Sequence, residues 1–150
     1  MISYRSAMRG TLVAAAMTLA GCSWWSSMTG SDTMSMKNQL TGAQEVPPVT
    51  TTGTGTVDST FDKSTNVLTW TVTYSGLSGP ATAGHIHGPA AAGANAGVLI
   101  PFTGDISSPI KGKATLTAAQ VADLTAGRLY VNLHTAKHPG GEIRAQLSGK

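Results

Sequence analysis

The chain has 150 residues, with ten Lys and Arg, seven Asp and Glu, four His and a single Cys, for a formal net charge of +3. Arg5 and Arg9 lie in an N-terminal segment that reads as removable; without them eight basic residues face seven acidic ones, a net +1, which offers no electrostatic footprint for nucleic acid or acidic partners. One cysteine excludes an internal disulfide framework, so the folded part must be held by a packed core.

Arg5 and Arg9 form a positive n-region, followed by an apolar stretch from Gly10 to Ala20 that is too short to cross a bilayer as a helix. It ends in Leu19-Ala20-Gly21-Cys22, which resembles a bacterial lipobox. The resemblance implies a lipoprotein signal peptide over residues 1–21, acylation (palmitate-type) of Cys22 and several chains on that cysteine, where one alone would bind a membrane only marginally. Ser23 is not an acidic retention signal, so the outer membrane or periplasmic face of the cell envelope is the expected location. Residues 22–37 read as a flexible tether, rich in Ser, Thr, Gly and Met and without hydrophobic period. Trp24 and Trp25 suit the headgroup region. Met28, Met34 and Met36 carry thioethers of the kind that bind Cu(I), but the simpler reading is tolerated linker residues. No later stretch reaches the roughly 20 apolar residues of a spanning helix, so the chain is expected to be anchored to the membrane and not to cross it.

Residues 38–150 change texture: Val, Leu, Ile and aromatics recur at two-residue intervals between Gly and Pro breaks, the pattern of an antiparallel all-β sandwich or barrel of Greek-key type. A first strand is expected over Leu40 to Glu45, stopped by Pro47-Pro48, and a second over Gly55 to Phe61. The clearest strand places Leu68, Trp70, Val72 and Tyr74 on one face and Thr69, Thr71 and Thr73 on the other. Further strands are expected at Ala83 to His87, Val98 to Phe102 and Ile110 to Leu116. Thr117-Ala118-Ala119-Gln120 has the form of a capping box opening one short helix at about 118–126, closed by Gly127. Strands over Arg128 to His134 and Glu142 to Leu147 then form a hairpin with His138 in its loop.

All four histidines fall in two short stretches, Gly84-His85-Ile86-His87-Gly88 and Leu133-His134-Thr135-Ala136-Lys137-His138. In a strand, His85 and His87 share a face, a geometry suited to two ligands on one ion. His134 and His138 complete a candidate cluster, and a nitrogen-rich site without cysteine suits copper, zinc or nickel. Asn132, Tyr130, Glu142 and Arg144 are the candidates to orient the imidazoles. The alternative is a network of hydrogen-bonding struts, for instance an imidazole on the Glu142 carboxylate. Glu142 and Arg144 share a strand face, so an ion pair between them is expected, with Arg144 secondarily able to draw an anion toward the histidines. No Gly-x-Ser-x-Gly elbow or Walker loop is present, and no pair of carboxylates is placed for acid–base work.

Four blocks carry a family resemblance: Leu40-Thr41-Gly42-Ala43-Gln44-Glu45-Val46-Pro47-Pro48, Gly84-His85-Ile86-His87-Gly88-Pro89, Leu129-Tyr130-Val131-Asn132-Leu133-His134-Thr135 and His138-Pro139-Gly140-Gly141-Glu142-Ile143-Arg144. In this order they resemble the CHRD (chordin-type) domain over Asn38 to Leu147. The resemblance implies an extracytoplasmic β-rich binding or structural module without a settled catalytic activity. The His138 position also takes Asn in the family, which makes it the optional ligand, and Ala145 stands where a glycine is common. Three imidazoles suffice for a metal with an open position. The leading expectation is therefore a membrane-anchored module, with a protein partner or a copper or zinc ion as its ligand. The alternative is a copper-dependent, superoxide dismutase-like redox enzyme, suggested only by fold-level analogy.

Overall fold

Period-two alternation generates most of the frame. The structure, a computed structural model, describes residues 32–149; the expected signal peptide over residues 1–21, Cys22, Trp24, Trp25 and Met28 lie outside the described residues. Eight strands form: β1 (Thr33–Thr41), β2 (Thr54–Asp62), β3 (Val67–Ser75), β4 (Ala81–His87), β5 (Val98–Pro101), β6 (Ile110–Thr115), β7 (Leu129–Thr135) and β8 (Ile143–Leu147). They make one antiparallel sheet in the order β5-β4-β7-β8-β1-β2-β3-β6. The sheet curls into a nearly closed barrel with its seam between β5 and β6. Around that seam β4, β5, β6 and β7 trace a Greek key, because β7 returns to lie beside β4. The sandwich-or-barrel expectation thus resolves to the barrel.

The barrel interior is filled by the predicted apolar faces: Val57 and Phe61 of β2, Leu68, Trp70 and Val72 of β3, Ile86 of β4, Leu129, Val131 and Leu133 of β7, and Ile143, Ala145 and Leu147 of β8 are all buried. Phe102, just past β5, stacks on Trp70 of β3 with centroids 5.4 Å apart, and the Tyr74 hydroxyl donates to the Ile106 carbonyl at 2.7 Å. The segment from β5 to β6 therefore fastens the seam where strand pairing stops. Helix α1 (Ala118–Thr125) forms with its predicted capping box, Thr117 and Gln120 each bonding the other's backbone N–H, and buries Leu124.

Two expectations about the chain's first strand need correction. β1 starts at Thr33, inside the expected tether, and its register on β2 pairs Met34 with Phe61 and Met36 with Ser59. Met36 is a core residue, neither a linker residue nor a thioether free for copper. Met34, Met36 and Leu40 continue the inward alternation, with Asn38 as the polar member of that face; its amide donates to the Ser148 carbonyl at 3.1 Å. The strand also ends at Thr41, four residues early, because Gly42–Gln44 turn into a single 3-10 turn. A Cβ at Gly42 would lie 2.2 Å from the Val49 carbonyl oxygen, so the close return of the 45–49 segment depends on that glycine.

The outer side of β4, β7 and β8 is covered as well. Every residue of β7 is buried, so its polar face does not meet solvent. The 42–50 segment, the 88–97 loop and the 138–141 turn fold over this side and enclose a second, polar layer outside the barrel.

Candidate metal centre

Strand register assembles the polar layer. On β4 the bulky Ile86 points into the core, which leaves His85 and His87 together on the outer face. Antiparallel pairing sets His85 opposite Asn132, His87 opposite Tyr130 and Ala83 opposite His134. Ala83 offers almost no side chain, so His134 reaches diagonally toward His85. One ring nitrogen from each of His85, His87 and His134 lies within 4.8 Å of the others. His85 Nδ1 and His134 Nε2 are 3.0 Å apart.

Backbone carbonyls fix which nitrogens are available. A carbonyl only accepts, so His87 Nδ1–H donates to Ala96 at 3.1 Å and His134 Nδ1–H donates to Pro139 at 2.9 Å. In the neutral tautomer these bonds select, each ring presents an Nε2 lone pair. That of His134 accepts from His85 Nδ1–H. That of His87 is buried with no hydrogen-bond partner, a costly state for an acceptor that nothing satisfies. Burial, and next the neighbouring His134 and His87, lower the pKa of His85. Burial likewise lowers that of His134, against the Pro139 bond and together with the His87 neighbour. Both shifts favour the neutral form that ligates metals.

These positions fit a transition metal. Bonds of about 2.0–2.1 Å put two ligand nitrogens about 2.9–3.4 Å apart at right-angled to tetrahedral geometry, which brackets the His85–His134 distance. The widest separation, 4.8 Å, exceeds that range, so the rings must close by about 1.5 Å or more to share one ion in that geometry. Coordination through His85 Nδ1 needs that ring to move its proton to Nε2. His85 is the least buried of the three, so solvent can mediate the exchange. Anchoring a ligating imidazole through its other nitrogen to a backbone carbonyl is the usual outer arrangement of such sites, and two of the three rings have it.

His138 does not join them. It sits half-buried in the turn after β7, where its backbone N–H donates to the Thr135 carbonyl at 3.1 Å. Tyr130 stacks on His87, centroids 4.8 Å apart and planes 4° from parallel. Asn132 is buried one strand from His85, and its Oδ1 has no partner. Glu142 braces no imidazole and forms no ion pair with Arg144. Its oxygens accept instead from Thr51 Oγ1 at 2.6 Å, Ser78 N at 2.8 Å, Ser78 Oγ at 2.6 Å and Thr135 Oγ1 at 2.6 Å. Burial alone would raise the Glu142 pKa, but these bonds outweigh it and bring it down to about 2. Arg144 is 1% exposed and cannot draw an anion from solvent.

Glu45 is not among the residues the sequence points to, because its stretch has the pattern of a strand, whereas it follows the Gly42–Gln44 turn. It is buried in the same layer. Burial pushes its pKa up to about 7, against the pull of the Arg144 charge and a hydrogen bond from Asn132. Sequence reasoning also had no means of finding the Ala96 and Pro139 carbonyls, because backbone acceptors in a loop carry no residue signature. The Pro47-Pro48 pair after Glu45 was the one legible hint that this carboxylate leaves the strand.

Comparison with curated proteins and with solved structures finds no match. The CHRD domain family model matches residues 36–147, a span that runs from the buried Met36 of β1 to the end of β8 and contains all three clustered histidines. The order of sequence blocks, the barrel they build and this match together make the chain a member of the CHRD domain family.

Proposed function

We propose that this CHRD domain is an extracytoplasmic binding module that holds one transition-metal ion, copper or zinc, on His85, His87 and His134, and that Cys22 carries the lipid that anchors it to the cell envelope. The observation that carries the metal reading is the convergence of one ring nitrogen from each of His85, His87 and His134 within 4.8 Å, with the buried His87 Nε2 left without a hydrogen-bond partner. The lipid reading rests on the Leu19-Ala20-Gly21-Cys22 motif alone.

Calorimetric titration of the full chain with Cu(II) and with Zn(II) tests the metal reading. Saturable binding of one ion is expected, and it is abolished by His85→Ala together with His134→Ala but retained in His138→Ala. Absence of saturable binding, or equal binding by the double variant, overturns it. A second reading, a copper-dependent redox enzyme, is favoured by one feature: three protein ligands leave a coordination position open beside the partly exposed His85. Superoxide turnover no faster than that of free copper would dispose of it.

A further inference from the structure

We infer that Arg144 is the positioning residue that makes His87 a ligand; this rests on the metal reading above. Arg144 lies two strands away from β4 and touches none of the three histidines through a hydrogen bond, yet two chains of contact lead from it to the His87 ring. The first runs through the 88–97 loop. Arg144 Nη2 donates to the Ala94 carbonyl at 2.8 Å and Nη1 to Asn95 Oδ1 at 3.1 Å. The adjacent Ala96 carbonyl takes the His87 Nδ1 proton, which leaves Nε2 free to ligate. The second runs through Tyr130. The guanidinium lies 3.5 Å from the Tyr130 ring centroid, and the opposite side of the same stack is the His87 imidazole. The Tyr130 hydroxyl joins the two chains, accepting from Ala96 N–H at 3.1 Å and donating to the Ala96 carbonyl at 3.2 Å.

Register explains why this residue can do so. Arg144 pairs with Asn132 and Gln146 with Tyr130, so Arg144 approaches Tyr130 on the diagonal and lies along its ring. Gln146 holds the base of the loop, donating to the Ala90 carbonyl at 2.9 Å. A planar fork that both stacks and donates is specific to arginine; a lysine keeps the charge but supplies neither the plane nor the paired donors. Of the loop residues from Ala90 to Ala96, Asn95 contributes a side-chain acceptor and the alanines contribute main-chain acceptors. The ring's tautomer and tilt are therefore set from outside, by Arg144.

The test uses Cu(II) as probe on the full chain, with the nitrogen count read from electron paramagnetic resonance. Arg144→Lys is expected to weaken Cu(II) about 10–100-fold, the usual effect of losing an outer support, and to reduce the ligating nitrogens from three to two. In a His87→Ala background the same substitution is expected to cost nothing further. Unchanged affinity and nitrogen count in Arg144→Lys, or an equal loss in both backgrounds, overturns the inference. Should Arg144→Lys fail to fold, Tyr130→Phe replaces it in the same cycle, with a smaller loss that again vanishes without His87. A metal-free readout separates this inference from the metal reading: nitrogen-15 spectra are expected to show His87 as the Nδ1–H tautomer in the wild type and as a mixture in Arg144→Lys. If the wild type binds no metal but this tautomer shift appears, the metal reading fails while the positioning role stands. An unchanged tautomer overturns the role itself.

Discussion

Two buried glutamates show how environment, and not residue type, decides what a carboxyl group does. Glu142 is met by three hydroxyls and one N–H, which favour the charged form over the burial that opposes it. Its folded pKa, about 2, lies below the ordinary value. Its stabilisation is therefore fully present above about pH 4.5 and is lost as pH falls toward 2. Glu142→Gln is expected to cost about 2 kcal/mol at pH 7 in urea unfolding, with the gap to wild type closing below pH 4. Glu45 has the opposite sign. Its pKa is raised to about 7, so the fold is penalised as pH climbs from about 4.5 through 7. Glu45→Gln is expected to leave stability unchanged near pH 4. At pH 8 it should raise stability by about 2 kcal/mol, once solvent screening is allowed for. Thermal melts across that range check both the sign and the window.

At the level of elements, β1 and β7 carry most of what differed from expectation. Met34 and Met36 lie at the same two-residue spacing as Leu40, but flanking Ser, Thr and Lys made the segment resemble a linker. The pairing of all nine β1 residues with β2 is a long-range fact that local composition does not contain. Met36→Ala should cost about 2–4 kcal/mol, the usual penalty of a core truncation, measured by chemical denaturation; a true linker residue would show no effect. The alternation of Leu129, Val131 and Leu133 marks β7 as a strand with a polar second face, but it does not say that this face is covered. The covering loops bury it, and only chain segments distant in sequence could supply them. Gly141 shows how tight that cover is: its φ is +126° and a Cβ there would lie 2.3 Å from Glu45 Oε1. Gly141→Ala is expected to destabilise by about 2–4 kcal/mol through strain and overpacking, again read by denaturation.

For the whole molecule, the barrel offers two layers with different duties. The apolar interior fixes the strands, and the polar exterior of β4, β7 and β8 uses that fixed register to bring residues 49 positions apart in sequence, His85 and His134, to 3.0 Å. The seam at β5 and β6 lacks strand pairing on one side, so amide exchange should be fastest there and slowest in β1, β7 and β8. If the site takes Cu(II), saturating metal at about 100 times Kd should stabilise the fold by about 2.7 kcal/mol. That gain should appear as a rise in melting temperature that His85→Ala with His134→Ala abolishes.

The sequence by itself determined the class of fold, the helix with its capping box, and the placing of His85 and His87 on one strand face. Each of these follows from local periodicity or from side chains only a few residues apart. Only the tertiary structure decided that β1 begins at Thr33, that His134 joins the pair while His138 stays in its turn, and that Glu142 and Arg144 part company. Those outcomes depend on register between strands and on which loop covers which face. They are set by the packing of the whole barrel, and the two histidine stretches cannot encode them alone.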